Sequence, residues 1–134
     1  MGKQPKTVQL TGRVFSGTGE GSKFIELSWV RSQIEEKLGF TPFRGTLNLL
    51  LDETGSNIRK ALENAKPVPI VPEPGFRPGK CFKASIMGLV DGAVVIPLVE
   101  GYPKNVLEVI APVNLRERFG LKDGDVIEVS VFVE

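Results

Sequence analysis

Apolar and polar residues alternate with a period of two along several short stretches of this chain, and this pattern predicts β-strands. Near the end of the chain, for example, Ile127, Val129 and Val131 alternate with Glu128 and Ser130. The predicted strands are 7–15, 23–27, 46–51, 80–87, 93–99, 106–110 and 126–133, with a short edge strand at 68–71. So many short strands favour a sheet that closes on itself as a small barrel.

A period near four predicts short helices between some of these strands. The predicted helices are 28–38, 58–65 and 113–119. Val30, Ile34 and Leu38 lie on one face of the first helix, and Gly39 follows at the usual position of a C-terminal cap. The predicted fold class is therefore mainly β, a small closed barrel with two or three short helices. A length of 134 residues predicts a single domain over 1–134.

Two connections have compositions that predict their conformation. The Asp91-Gly92 pair favours a tight turn between the strands at 80–87 and 93–99. The stretch 66–79 is rich in proline and glycine, which predicts an irregular connection at the surface. This stretch is either a plain connector or a lid over a site.

The composition excludes several classes of chemistry. The chain has no histidine, which rules out a histidine general base, a Ser-His-Asp triad and a histidine-ligated zinc site. Its formal net charge of +1 argues against a nucleic-acid partner. The one cysteine, Cys81, excludes a disulfide within the chain and is expected to be buried. Because the chain has no signal segment and no apolar run approaching ~18 residues, we expect a cytoplasmic protein without a membrane span. We also expect a monomer.

A glycine-rich stretch over 16–24 is the first candidate for binding chemistry. Gly17, Gly19 and Gly21 alternate with polar residues, and glycine lets backbone N–H groups approach an anion closely. The stretch lacks the Gly-Lys-Ser/Thr of a P-loop, and the strand predicted after it does not fit a dinucleotide-binding motif. A glycine loop between two strands is closest to the loop that covers phosphates in protein kinases. The alternative is an ordinary hairpin turn.

Thr46 and Asn48 form a candidate metal pair. On the predicted strand they point to one face, while Leu47 and Leu49 point to the other. A hydroxyl and an amide oxygen suit Mg²⁺, which prefers oxygen ligands and takes few of them from protein when phosphates supply the rest. The alternative is a Thr/Asn pair that faces solvent.

The segment 107–116 predicts a strand that runs into a helix. Glu108 lies in the strand and is the candidate to orient or deprotonate a substrate hydroxyl, because no histidine is available. The helix start at 113–116 offers N–H groups to an anion, and Arg116 adds a positive charge. The alternatives are a surface glutamate and a solvated helix face.

The order and spacing of these motifs resemble one family over nearly the whole chain. The matching segments are 11–14, 38–49, 108–112 with Leu115-Arg116 after it, and 122–127. The sequence is similar to the archaeal CTP-dependent riboflavin kinases. This resemblance implies a closed six-stranded cradle-loop (RIFT-like) barrel. It also implies transfer of the γ-phosphoryl group of CTP to the 5′-hydroxyl of riboflavin, which gives FMN and CDP. Some relatives carry an N-terminal helix-turn-helix domain, and we expect none here.

The resemblance also implies a role for each candidate residue. Thr46 and Asn48 would hold Mg²⁺, and Glu108 would contact the flavin. The nucleotide would be bound by Thr18, Gly19, Glu20, Gly21, Ser22, Lys23, Val113, Asn114, Leu115 and Arg116. Two positions depart from the family's pattern. Ser22 stands where a basic residue is usual, and Glu100 stands where a threonine usually contacts the flavin, so Glu100 is assigned to the flavin site.

Two other functions use the same features. One is a non-catalytic flavin- or nucleotide-binding module on the same barrel, in which Glu100 marks lost chemistry. The other is an AbrB-like DNA-binding barrel, which shares the general architecture. The near-neutral net charge counts against the DNA-binding function.

Overall fold

A computed structural model describes residues 6–17, 20–75, 79–98 and 100–133 of the chain. Its strands are β1 Lys6–Phe15, β2 Leu47–Leu51, β3 Val68–Ile70, β4 Gly79–Ile86, β5 Val90–Pro97, β6 Val106–Ile110 and β7 Val126–Val133. Its helices are α1 Glu20–Glu26, α2 Ser28–Leu38, α3 Glu53–Leu62 and α4 Leu115–Phe119. The predictions for α2, β6 and β7 are confirmed at both ends.

The strands form one antiparallel sheet that closes on itself. Neighbouring strands follow the order β3-β4-β5-β6-β2-β1-β7, and β7 also pairs with β4. Six strands therefore make a closed barrel, and β3 is added at the edge of β4. The predicted mainly β, closed six-stranded barrel is confirmed. Four short helices accompany it in the described ranges, where two or three were predicted.

Two hydrophobic clusters lie on opposite faces of the barrel wall. The barrel interior is filled by alternate residues of the six strands, including Leu10, Leu49, Phe82, Val94, Leu107 and Val129. The second cluster lies outside, between α1, α2 and the strands, and includes Ile25, Val30, Ile34, Ile70, Cys81, Ala93, Val95 and Ile110. Because side chains alternate along a strand, Glu108 shares the outer face of β6 with Ile110. The fold thus places this carboxylate on the outer wall of the barrel.

Two expectations from the composition bear on the fold. Cys81 is fully buried in the outer cluster, as predicted. Burial raises the pKa of its thiol to about 12, which keeps the group neutral. Within the described ranges, no helix combines the length and the apolar character needed to cross a bilayer.

The predicted strand at 23–27 is wrong, because this segment belongs to helix α1 and the residue after it. β1 pairs with β2 along one edge and with β7 along the other, which leaves no edge for a returning hairpin strand. The helix instead buries Ile25 in the outer cluster, and Phe24 packs edge-to-face on Trp29 with ring centroids 6.0 Å apart. The glycine-rich stretch therefore joins a strand to a helix, and its interpretation as a hairpin loop is wrong.

The turn between β4 and β5 lies earlier than predicted. Met87 and Gly88 both adopt positive φ, at 53° and 69°, which is typical of the tight turns that join hairpin strands. The Asp91-Gly92 pair lies within β5 instead. Gly92 is needed there for another reason, because an added Cβ atom would collide with the Ile110 carbonyl oxygen of β6.

Two helix starts differ from the prediction because side-chain caps set them. α3 begins before residue 58, since the Asp52 carboxylate accepts a hydrogen bond from the Gly55 N–H at 2.8 Å. α4 begins after residue 113, since the Asn114 side chain accepts one from the Glu117 N–H at 3.2 Å. Asn114, the residue just before α4, therefore has an extended backbone at the candidate site.

Candidate active site

The three motif-bearing stretches of the sequence meet on the outer wall of the barrel. A side-chain hydrogen bond joins the stretch 45–49 to the stretch 107–116. The glycine-rich stretch 16–24 contacts the first of these through Gly17. It is tied to the second through a shared carboxylate, Asp123. Each stretch therefore has a direct or one-residue link to the other two.

Glu108 lies at the centre of this site, and only 2% of it is exposed. The Thr46 hydroxyl donates a hydrogen bond to Oε1 of Glu108 at 2.7 Å, and the Tyr102 hydroxyl donates one to Oε2. Asn48 lies directly opposite Glu108 in the pairing of β2 with β6, so the two side chains leave the same face of the sheet. Separate donors on its two oxygens hold the carboxylate in one orientation.

Gly17 brings the glycine-rich stretch into contact with Asn48. A Cβ atom added at Gly17 would lie 2.7 Å from both Cγ and Nδ2 of Asn48 and 2.9 Å from its Oδ1. Those distances are too short for any side chain, so glycine is required unless the amide moves. The first glycine of the stretch, Gly17, therefore packs directly against the side chain of the candidate metal ligand Asn48.

Asp123 ties the start of the glycine-rich stretch to α4. Its Oδ1 accepts a hydrogen bond from the Arg116 guanidinium at 2.7 Å, and its Oδ2 accepts one from the Ser16 hydroxyl at 2.9 Å. Arg116 also donates to the Phe15 carbonyl oxygen at 3.4 Å. The hydrogen bond from Arg116, followed by that from Ser16, lowers the pKa of Asp123. Arg116 is thus held beside the end of β1.

A crevice of about 160 Å³ lies on the Thr46 side of Glu108. Phe43, Thr46 and the segment 113–116 are among its lining residues. The Phe43 N–H donates to the Ala111 carbonyl oxygen at 2.8 Å, which fastens the chain before β2 to the end of β6. A predicted metal ligand and the predicted nucleotide contacts of 113–116 therefore face the same space.

A second cavity, of about 400 Å³, lies on the Tyr102 side of Glu108. Its lining residues are Arg59, Glu63, Asn64, Lys80, Ile96, Pro97, Leu98, Glu100, Tyr102 and Lys104. Its wall therefore includes the predicted flavin contact, Glu100, a second carboxylate, three basic side chains and the apolar segment 96–98. Thr46 lines the first space and Tyr102 lines the second, so Glu108 is bonded to one hydroxyl from each.

Glu63, just after α3, organises the cations of the second cavity. Its Oε1 accepts hydrogen bonds from Lys104 Nζ and Arg59 Nη1, both at 3.0 Å. Its backbone carbonyl accepts one from Lys80 Nζ. The hydrogen bond from Lys104 is the largest influence on the pKa of Glu63 and lowers it, and the charge of Arg59 acts in the same direction.

Replacing Glu63 by glutamine should make thermal stability fall less steeply as the pH is lowered. A carboxyl whose pKa is lower in the folded state stabilises the fold above its unfolded pKa, and this stabilisation is lost as the pH falls through the folded pKa. For Glu63 the contribution is complete well above pH 4.5 and disappears below it. Thermal unfolding at neutral pH should show the E63Q variant less stable by on the order of 1 kcal/mol or less, because Lys104 is exposed.

The two unfolding curves should converge in acid. As a control, E35Q removes an exposed carboxylate of α2 and should follow the wild-type curve. A constant difference between E63Q and wild type from neutral to acid pH would contradict the assignment.

The oxygen atoms at the site fit a hard divalent cation. Thr46 offers a hydroxyl and Asn48 an amide oxygen, and both adjoin the Glu108 carboxylate. Because the Thr46 hydroxyl gives its hydrogen to Glu108, its lone pairs point away from that carboxylate. In the described part of the chain, no group of three or more His, Cys, Asp or Glu side chains is placed to hold a metal. A cation at Thr46 and Asn48 therefore needs further oxygen ligands from a substrate or water.

The remaining predicted residues lie in or before α1. Thr18 and Gly19 lie outside the described residues. Glu20, Gly21 and Ser22 begin α1, and only their backbone is described. Lys23 follows them in α1 and is exposed. Nucleotide binding by 18–23 stays a prediction.

Sequence reasoning missed two residues of the site, Tyr102 and Asp123. Tyr102 is the one tyrosine of the chain and lies in a connection, where no periodicity marks it. Asp123 lies in the matching segment 122–127, where its residue type alone does not mark it as part of a site. The proximity of Tyr102 to Glu100 in sequence was the one available signal, and Asp123 had none.

The amino-acid sequence of this chain is similar to a known protein family and to curated proteins. The family model CTP-dep_RFKase, described as a domain of unknown function (DUF120), matches residues 14–131. Curated proteins named riboflavin kinase are similar over 95% of this chain. They include those of Pyrobaculum aerophilum (47% identical over 134 residues), Archaeoglobus fulgidus (43% over 131) and Ignicoccus hospitalis (44% over 131). The alignments cover 62%, 56% and 73% of these relatives, so the chain spans about three fifths of the length of the first two.

Proposed function

The chain belongs to the family of CTP-dependent riboflavin kinases, and we propose that it transfers the γ-phosphoryl group of CTP to the 5′-hydroxyl of riboflavin, giving FMN and CDP. The observation that carries this proposal is the convergence of the three motif-bearing stretches around Asn48 and Glu108, which lie opposite each other on β2 and β6. Phosphoryl transfer asks little covalent chemistry of the protein and depends on positioning and charge stabilisation. A buried, oriented carboxylate between two cavities suits that task.

The nucleotide binds on the Thr46 side of Glu108 in this proposal. Its base and sugar occupy the crevice lined by 113–116, and its phosphates extend past Thr46 towards the glycine-rich stretch. The contact of Gly17 with Asn48 supports this path, because it brings the loop to the candidate metal pair. Arg116, held by Asp123, adds positive charge beside the path.

Thr46 and Asn48 would hold the Mg²⁺ ion that accompanies the nucleotide. When bound, the ion neutralises charge on the phosphate oxygens. A hydroxyl has one hydrogen to donate and two lone pairs. The Thr46 oxygen can therefore bind the cation while its hydrogen stays on Glu108, which couples the metal pair to the carboxylate.

Riboflavin occupies the second cavity, of about 400 Å³, in this proposal. That volume lies within the range of small-molecule sites. The apolar segment 96–98 suits the flavin ring, and Glu100 lies at the same cavity. Lys80 and Lys104 line it as well and offset the charge of Glu100 when the product acquires its phosphate.

Glu108 accepts the hydrogen of the riboflavin 5′-hydroxyl. As the hydroxyl oxygen bonds to the γ-phosphorus, the bond from that phosphorus to the departing CDP oxygen breaks, and the proton moves to the carboxylate. The hydrogen bonds from Thr46 and Tyr102 keep the Glu108 carboxylate in one orientation. Its burial excludes competing water.

The substitution Gly17→Ala should lower turnover by about 10-fold to 100-fold while leaving thermal stability nearly unchanged. The added methyl group would occupy the space of the Asn48 amide. The end of a side chain moves more easily than a backbone, so the amide gives way and the fold does not. The measurements are kcat, the Mg²⁺ concentration that gives half-maximal rate, and the unfolding temperature.

A matched control for this prediction is Gly55→Ala in α3. Its added Cβ atom would have its nearest contact at 3.1 Å, on the Leu51 side chain and away from the site. This variant should keep the wild-type rate. A Gly17→Ala protein with unchanged rate and Mg²⁺ dependence would remove the Asn48 amide from the reaction.

The proposal is tested by incubating the purified protein with riboflavin, Mg²⁺ and one of the four nucleoside triphosphates at a time. Chromatography should detect FMN, with CTP as the preferred donor. FMN formed from ATP and not from CTP would overturn the assignment of CTP as the phosphoryl donor. No FMN with any nucleotide would support the non-catalytic flavin- or nucleotide-binding module.

A further inference from the structure

Two charged side chains are buried in the described part of the chain, and a tyrosine joins them. Arg59 of α3 is 1% exposed and Glu108 of β6 is 2% exposed. The Tyr102 hydroxyl donates a hydrogen bond to Glu108 Oε2. The Arg59 guanidinium carbon lies 5.5 Å from the centroid of the Tyr102 ring, over its face. Burial of a charge is unfavourable unless the charge is paired or hydrogen-bonded. Tyr102 therefore helps to stabilise both buried charges, Glu108 through its hydroxyl and Arg59 through its ring.

Arg59 is fixed to the same strand that carries Glu108. Its Nε donates to the Val106 carbonyl oxygen at 2.7 Å, two residues before Glu108 in β6. Its Nη1 donates to Glu63 Oε1 at 3.0 Å. The backbone of β6 and the end of α3 therefore set the position of the guanidinium. The Tyr102 ring packs against a cation that is itself held in place.

This arrangement controls the rotation of the Glu108 carboxylate. A carboxylate bonded through one oxygen can still turn about its side-chain torsions, whereas donors on both oxygens from different segments prevent that. Strands β2 and β6 are antiparallel, and Thr46 precedes β2 while Tyr102 precedes β6. The two hydroxyl donors therefore reach Glu108 from opposite ends of this strand pair. A cation over the face of a phenol ring draws electron density from it and strengthens the hydroxyl as a donor.

We propose that Tyr102, held by Arg59, is a positioning residue that fixes the Glu108 carboxylate with Oε1 on the Thr46 side of the site. The inference rests on the proposed function, because Oε1 is the oxygen beside the predicted metal pair and is therefore the one that accepts the riboflavin proton. Tyr102 acts only through Glu108. Without its hydroxyl, Oε2 is released and the carboxylate turns towards the lysines of the second cavity.

The first test does not depend on activity. Tyr102 is the one tyrosine in the chain, so protein labelled with carbon-13 at the tyrosine Cζ atom gives a single tyrosine signal by NMR. Replacing Glu108 by glutamine should shift this signal, and Arg59→Lys should shift it as well. Ser130→Ala removes a hydroxyl hydrogen bond to Gln9, at 2.9 Å on a different part of the barrel, and should leave the signal in place. A signal unmoved by Glu108→Gln would overturn the proposed contact.

The second test measures the effect of Tyr102→Phe, which keeps the ring over Arg59 and removes only the hydroxyl. The value of kcat for FMN formation should fall about 10-fold to 100-fold, while KM for CTP stays close to wild type. The unfolding temperature should fall modestly, because the buried carboxylate loses one hydrogen-bond donor. In protein that already carries Glu108→Gln, the same substitution should have no further effect, since Tyr102 acts through that carboxylate. Ser130→Ala should keep the wild-type kcat.

The outcomes separate this inference from the proposed function. Equal losses from Tyr102→Phe in the presence and absence of Glu108 would overturn the positioning role, as would an unchanged kcat in Tyr102→Phe. If the wild-type protein formed no FMN, the proposed function would fail, and the catalytic purpose of the positioning would fail with it. The NMR signal would still decide whether Tyr102 and Arg59 fix Glu108.

Discussion

Replacing Glu108 by glutamine should lower the rate of FMN formation by about 100-fold to 10,000-fold. Glutamine has nearly the same size and can still accept the hydrogen bond from Thr46, but it carries no charge and cannot take the proton of the riboflavin hydroxyl. Glu108 is 2% exposed and accepts hydrogen bonds from Thr46, which lines the crevice, and from Tyr102, which lines the second cavity. The measurement is the initial rate of FMN formation at saturating CTP and riboflavin.

Two accompanying measurements make this result specific. KM for CTP should change little, because Glu108 does not line the nucleotide crevice. The matched control is Glu128→Gln, which neutralises an exposed carboxylate on β7 and should keep the wild-type rate. A Glu108→Gln protein that retains more than about a tenth of the wild-type rate would contradict a proton-accepting role.

Replacing Asn48 by alanine should lower turnover by on the order of 10-fold to 100-fold and raise the Mg²⁺ concentration that gives half-maximal rate. The substitution removes one of the two neutral oxygen ligands assigned to the cation. The amide is half-buried, directly opposite Glu108, and in contact with Gly17, so its loss also opens space beside the phosphate path. A titration of the rate with Mg²⁺ at fixed CTP measures both effects.

Leu50→Ala is the matched control for Asn48. Leu50 lies two residues further along β2 and points to the same face, where it is 41% exposed. Its removal should leave the Mg²⁺ titration unchanged. If Asn48→Ala and Leu50→Ala gave the same titration curve, Asn48 would not be a ligand.

The elements that the sequence predicted best are those whose own residues determine them. The helix at 28–38 follows from a strong period near four and a terminal glycine, and Gly39 indeed adopts the left-handed conformation that ends it. The last strand follows from strict alternation of β-branched and polar residues. In both cases local preference and the final packing agree.

The elements that were predicted wrongly depend on partners elsewhere in the chain. Whether 23–27 forms a strand depends on a free edge beside β1, and β2 and β7 occupy both edges. Whether Asp91-Gly92 forms the turn depends on register, and the close approach of β6 uses Gly92 within a strand. The local pattern of apolar and polar residues does not predict which distant strands pair with each other.

The same limit applies to the site. Residue type and spacing identified Thr46, Asn48 and Glu108 as candidates, and the structure brings them together. Their contact joins positions 62 residues apart, which only the pairing of β2 with β6 explains. Tyr102 and Asp123 act through contacts with Glu108 and Arg116, so no local pattern could reveal them.

The central claim is that one carboxylate on the outer wall of the barrel directs the γ-phosphoryl group of CTP onto riboflavin. Its most direct test uses CTP labelled in the γ-phosphate, with riboflavin and Mg²⁺, in parallel reactions of wild type and the Glu108→Gln variant. We expect labelled FMN with wild type and at least about a hundredfold less of it with the variant. Label that stays out of the flavin with wild type, or that enters it equally fast with both proteins, would contradict the claim.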